Sequence, residues 1–225
     1  STNPAAPALV LPELLTATEV GLKTDFASAP VRLNASLYHY DYKQMQTNAF
    51  LGIASFQLNK DAVVNGGEVE LIAKPSKDLE LSGNVGLIDG KVKNVQLRLP
   101  NATAQPVYRD TELPNAPRRS ASVQAKYNWA MAGGSAFALV NQSYRSETFG
   151  ELENNPVQRV PAYSLTNMRF GYSPANGKWQ TGFYVNNVFN KEYFTYTGFV
   201  SSIRIAQQFP GRPRWVGAYF NYSFD

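Results

Sequence analysis

Period-two alternation constrains this chain more than any other feature. In residues 120–129, SASVQAKYNW, Ala121, Val123, Ala125, Tyr127 and Trp129 share one face of an extended strand. Ser120, Ser122, Gln124, Lys126 and Asn128 share the other. Residues 79–88, 31–38 and 19–26 repeat the pattern, and so does the C-terminal run in which Val216, Ala218, Phe220, Tyr222 and Phe224 alternate with Gly217, Tyr219, Asn221 and Ser223. Less regular segments at about 67–74, 135–145, 162–172 and 179–190 bring the number of expected strands to about nine. Each is about ten residues long, the length a tilted strand needs to cross a bilayer.

The expected connections alternate in length. Short turns at 27–30, 74–78, 132–134 and 173–178 carry Gly, Pro, Asn or Ser, and longer loops are expected at about 43–66, 89–118, 146–161 and 191–213. Short turns on one side and long loops on the other is the layout of an outer-membrane barrel. Lipid imposes the stripes, because one face must present hydrocarbon while the other meets water or a plug. It also requires every backbone amide to be paired within the sheet. A soluble β-sandwich explains any single strand as well, but accounts poorly for the loop asymmetry.

Composition narrows the function. Charged residues make up 17% of the chain, below the ~25% usual in soluble domains. There is no cysteine, and His39 is the single histidine. A thiolate site, a multi-histidine metal site and a cysteine nucleophile within this chain are therefore excluded, and little room is left for a Ser–His catalyst. The net charge of +4 is scattered, which argues against nucleic acid as a partner. The run STNPAAPALV at the start lacks the basic-then-apolar pattern of a leader.

Several runs then point in one direction. VNNVFNKEYF at 185–194 is followed by FPGRPRWVGAYFNYSF at 209–224; LPELLTATEVGLKTDF stands at 11–26, GGEVELIAKPSKDLELSGNVGLID at 66–89 and PNAPRRSASVQAKYNW at 114–129. In this order they resemble the C-terminal part of TonB-dependent outer-membrane receptors. Asn187, Val188, Phe189, Asn190, Lys191 and Tyr193 stand in the family's Asn-aliphatic-Phe run, and Pro210, Gly211, Arg212 and Pro213 in its Pro-Gly-Arg-Pro. The last strand resembles the barrel-assembly signal at Gly217, Phe220 and Tyr222, with Asp225 following where the family usually ends on its aromatic residue.

The resemblance implies an all-β, transmembrane antiparallel β-barrel, of which this chain supplies about nine C-terminal strands out of about 22. Residues 1–15 are then an extracellular loop segment and 16–225 the C-terminal barrel portion, with the plug outside this chain. The implied function is uptake of a ferric siderophore across the bacterial outer membrane, without enzymatic activity. No cofactor is implied, and iron would arrive only inside a bound siderophore. Implied partners are the lipid bilayer, the rest of the barrel and its plug, the TonB complex, the barrel-assembly machinery and a small-molecule ligand. A porin, an adhesin or a soluble β-sandwich binding module remain alternatives.

Aromatic and arginine side chains suit an anionic ligand by stacking and charge pairing. The candidates are Tyr108 and Arg109 in the longest loop, Tyr144 and Arg145 at a strand's upper end, and Tyr196, Phe199 and Arg204 in the loop 191–213. Glu19, Lys23, Glu68, Glu70, Glu80, Lys126 and Arg169 read as lumen lining. Trp129, Tyr172, Trp179 and Phe224 read as an aromatic girdle at the short-turn side. Arg212 is expected to brace the corner before the last strand.

Overall fold

In a computed structural model of the chain, residues 10–27, 29–51, 54–97, 107–200, 203 and 205–224 are described; Arg204 and Asp225 lie outside them. Nine strands follow one another in a single antiparallel sheet: β1 (Leu14–Asp25), β2 (Val31–Leu51), β3 (Ala54–Ala73), β4 (Leu79–Leu97), β6 (Arg119–Met131), β7 (Gly134–Arg145), β10 (Tyr163–Pro174), β11 (Trp179–Asn186) and β14 (Trp215–Tyr222). Strand β5 (Val107–Glu112) pairs beside the upper part of β4. Two small hairpins, β8 (Thr148–Phe149) with β9 (Arg159–Val160) and β12 (Phe194–Val200) with β13 (Ile205–Pro210), stand off the main sheet. No described helix is long and apolar enough to cross a membrane.

The register confirms that the alternation is a property of the whole sheet. Ala125, Val140, Met168, Val185 and Val216 stand side by side across five strands. Tyr127, Ala138, Phe170, Phe183 and Ala218 form the next row, and Trp129, Ala136, Tyr172, Thr181 and Phe220 the one after it, toward the short turns. On the opposite face Ser82, Gln124, Asn141 and Asn167 are neighbours, as are Glu80, Lys126, Leu139, Arg169 and Tyr184. The apolar rows lie open, with Val216 66% and Phe220 65% exposed, as a surface meant for hydrocarbon must be.

Tyr172 and Trp179, two of the four residues expected in the girdle, meet at the short-turn side. Tyr172 and Trp179 have ring centroids 5.6 Å apart, Trp179 and Phe220 6.1 Å, and the Tyr172 hydroxyl donates to the carbonyl of Ala132 at 2.9 Å in the turn below. That turn takes positive φ at both Ala132 (43°) and Gly133 (71°), which lets a tight connection follow the right-handed twist of β6 and β7.

The expected long loops need correction. Residues 43–51 and 54–66 continue β2 and β3 as a paired ribbon, with a register shift between Tyr42 and Met45 where Gln44 has a φ of 58°. Most of 89–97 continues β4, and 191–213 contains the β12–β13 hairpin. Beyond the hydrocarbon, neither face of a strand has to be uniformly apolar, so pairing persists there without the alternating signature. In the other direction, the strand expected at 179–190 stops at Asn186, because Asn187 and Asn190 take the left-handed conformation (φ 51° and 50°).

The buried core sits at the long-hairpin end of the sheet rather than at its centre. Ala62, Val92, Val95 and Leu152 pack together, with Tyr42, Met45 and Leu113 against them. The hairpins are thus fastened to one another above the wall.

Candidate functional site

The segment 147–160 organises this end of the molecule. Its Glu151 carboxylate accepts from the Tyr196 hydroxyl (3.3 Å), the Phe199 backbone N–H (3.3 Å) and the Gln158 side-chain amide, tying β12 to the segment. Its Asn154 is buried and reaches the other way, accepting from the Glu112 N–H at 2.5 Å and donating to the Glu112 carbonyl at 3.1 Å. Arg109 on β5 donates to the Glu153 carbonyl at 3.1 Å. Asn155 caps the 3-10 turn Pro156–Gln158 by accepting from Val157 N–H, while the Gln158 side chain accepts from Asn155 N–H, a reciprocal capping box.

The candidates from the sequence therefore separate into three groups. Arg109, Tyr196 and Phe199 are brought together through one segment, although they lie far apart in the chain. Tyr108, beside Arg109, is half exposed, with its hydroxyl 3.4 Å from Gln96 Oε1. Arg145 and Tyr144 divide between the faces. Arg145 stands on the polar face in register with Ser120 and Tyr163, whereas Tyr144 stands on the apolar face in register with Ala121. Arg145 lies over the Tyr163 ring at 5.6 Å, and Tyr163 packs on Tyr193 at 4.6 Å. Its Nε is buried without a hydrogen-bond partner. A guanidinium stacked on a tyrosine ring on the polar face suits pairing with an anion.

A second set of aromatics on the same polar face escaped the sequence reading. Tyr38, Tyr40 and Tyr42 alternate along β2, and Tyr38 stacks on Tyr40 with centroids 4.9 Å apart. With Glu19, Glu68 and Met45 they line a cavity of about 390 Å³ below the buried core. Their signal was legible: YHYDY continues the alternation of 31–38 by two further steps.

Electrostatics set the fittings of the mouth. Burial, with the Glu151 carboxylate beside it, pushes the Tyr196 hydroxyl up to about 12, so it is a neutral donor at ordinary pH. The Lys93 ammonium, 2.7 Å from Asp110, holds that carboxyl below the usual range. No group of three or more His, Asp or Glu among the described residues is placed to hold a metal ion.

The corner before the last strand is braced by Asn187 together with the Arg212 side chain. Asn187 donates to the carbonyls of Lys191 (2.9 Å) and Arg212 (3.1 Å) and accepts from the Lys191 N–H at 2.8 Å. Asn190 Oδ1 accepts from the Arg214 N–H at 2.8 Å. The Arg212 guanidinium lies over Trp215 at 5.7 Å. The asparagine-rich run is therefore a structural clamp between β11 and β14.

A continuous antiparallel wall, apolar on one side and polar on the other, with packed hairpins at one end, defines an outer-membrane β-barrel segment. The sequence profile of the TonB-dependent receptor-like β-barrel matches residues 1–188, and the chain belongs to that family of bacterial outer-membrane proteins. Solved structures agree in fold. The ferric yersiniabactin uptake receptor FyuA from Yersinia pestis is 20% identical with a TM-score of 0.76, over 95% of this chain and 30% of that one. The siderophore receptor PiuA from Acinetobacter baumannii is 19% identical with a TM-score of 0.70, over 98% and 30%. The copper transporter OprC is 16% identical with a TM-score of 0.68, over 96% and 32%. This chain thus spans about three tenths of the length of the receptors it matches.

Proposed function

We propose that the chain forms wall and outer mouth of a TonB-dependent transporter that takes up a ferric siderophore. The carrying observation is the polar-face cluster at the mouth: the Arg145 guanidinium over Tyr163, which packs on Tyr193. An iron chelate rich in carboxylate or catecholate oxygens carries negative charge at its rim, and such a cluster pairs and stacks with it. Tyr108, Arg109 and the β12–β13 hairpin contribute to the surface around it, and the tyrosines of β2 lie on the same face. Iron enters as part of the chelate and no resident cofactor is required. The plug, the TonB complex and the barrel-assembly machinery are partners in this reading, and the segment has no catalytic role.

The similarity to a copper transporter raises a second reading, uptake of a metal ion held by soft ligands. The described mouth offers tyrosine, glutamate and arginine, which favours the anionic chelate. The test is titration of the intact receptor with ferric catecholate, hydroxamate and carboxylate chelates, followed by fluorescence quenching. One class is expected to bind, and Arg145→Gln is expected to weaken it at least tenfold. No binding of any ferric chelate, or equal affinity in the variant, overturns the reading.

A further inference from the structure

The cavity of about 390 Å³ on the polar face carries the opposite charge to the arginine cluster. Tyr38, Tyr40 and Tyr42 line it from β2, Glu19 from β1 and Glu68 from β3. No lysine or arginine stands among its described lining residues. Neither Glu19 nor Glu68 has an ion pair or hydrogen bond among the described residues. Register sets the two acids on either side of one ring. Tyr38 pairs with Glu19 on β1 and with Gly66 on β3. Gly66 has no side chain, so the tip of the Tyr38 ring takes the space above it, with Cζ and the hydroxyl oxygen 2.3 Å from where a Cβ would stand. Glu68 follows Gly66 on the same face of β3.

A tyrosine face attracts a cation, and a carboxylate beside it adds a charge-assisted hydrogen bond. Stacked tyrosines between two carboxylates therefore suit a primary ammonium group and repel an anion. The same register relates this pocket to Arg145. Glu68 on β3, Gly86 on β4, Ser120 on β6 and Arg145 on β7 stand in one row on the polar face. Three interstrand steps of about 4.8 Å put Glu68 and Arg145 on the order of 14 Å apart along the wall. Between them the row holds only glycine and serine, so no bulky side chain of the row separates the two charges.

We propose that the transported chelate is zwitterionic, an inference that rests on the uptake function proposed above. Its iron-binding core, with the negative oxygens at its rim, sits on Arg145 and Tyr163, and a protonated amine on a pendant arm reaches along the row into the tyrosine–glutamate pocket. The pocket then discriminates among chelates that share one core. An arm ending in an ammonium group gains both carboxylates, whereas an arm ending in an anion meets two like charges.

The test titrates the intact receptor with three matched pairs of ferric chelates: a catecholate, a hydroxamate and a carboxylate, each carrying a primary amine on a flexible arm, and each again with that amine acetylated. Acetylation removes the charge and leaves the iron centre alone. In a pair that binds, the amine form should bind at least fivefold tighter. Glu19→Gln combined with Glu68→Gln should bring the two forms together, while Arg145→Gln should weaken both and keep the preference. A preference below fivefold in the unmodified receptor overturns the zwitterion proposal, whether or not any variant folds, and leaves uptake of a ferric chelate standing. A fivefold preference retained by a folded double variant overturns it as well. Absence of binding by all six chelates overturns the uptake function, and this inference with it.

Discussion

Asn154 meets Glu112 as a neighbouring strand would: its side-chain oxygen accepts from the Glu112 N–H at 2.5 Å while its side-chain amide donates to the Glu112 carbonyl at 3.1 Å. Forty-two residues separate them in sequence, and the pair fastens β5 to the segment 147–160. Asn154→Ala removes both bonds and places alanine at a φ of 50°. The expected local loss is about 2–3 kcal/mol, read as faster hydrogen exchange across β5 with the transmembrane strands unchanged.

Asn187 combines a left-handed backbone with three side-chain hydrogen bonds and is almost fully buried. Asn187→Gly keeps the backbone and loses the bonds; Asn187→Ala loses both advantages. Urea unfolding in detergent should rank them, with Ala lower than Gly by about 1 kcal/mol and both below the unmodified protein. Equal stability of all three would remove the clamp.

Val140 and Asn141 are adjacent but face opposite ways, Val140 in the apolar row and Asn141 in the polar one. Val140→Arg should cost about 2–4 kcal/mol near mid-membrane, and Asn141→Arg under about 1. Heat-modifiable gel migration of the two variants checks the assignment of faces.

Tyr184 lies flat across Gly217, its strand partner on β14, with its hydroxyl 2.3 Å from where a Cβ would stand. Gly217→Val should therefore destabilise by about 1–3 kcal/mol, and Tyr184→Ala in the same chain should recover part of that loss. An additive double variant would show that the ring and the glycine are independent.

Tyr196 supplies a pH dependence with a definite sign. Its ordinary value is 10 and the folded one about 12, so the neutral hydroxyl's contribution is whole below pH 10 and is lost as pH rises through 12. Protease cleavage within the β12–β13 hairpin should rise over that window, and Tyr196→Phe should remove a tyrosinate absorbance step near pH 12. A Tyr196 that ionises near 10 would contradict the described burial.

The nine wall strands were legible because lipid imposes one demand on every row, and Val123, Ala125 and Tyr127 could be read without knowing their neighbours. The hairpin extensions were not. Gln46, Thr47 and Asn48 pair with Asn59, Leu58 and Gln57 through backbone groups, in a region where no solvent asymmetry marks the faces. The site was half legible. Arginine and tyrosine at strand tops could be found by type and place, but the convergence of Tyr196 and Phe199 on Glu151 spans more than forty residues and leaves no local trace. The 185–194 run was recognisable as a motif, yet only its left-handed asparagines reveal that it serves the corner rather than the ligand.

Strands β2 and β3, of 21 and 20 residues, pair from the short-turn side out to Leu51 and Ala54, with one register shift between Tyr42 and Met45. At roughly 3.3 Å per residue such a ribbon is on the order of 65–70 Å long, against an apolar band about 25 Å tall. Tilted as such strands are, it spends about ten residues crossing that band, so about half of it projects outward as a cantilever rooted in the wall. Force applied at its tip is delivered to the barrel rim as a bending moment, so a touch far out in the medium is felt where the strands leave the lipid.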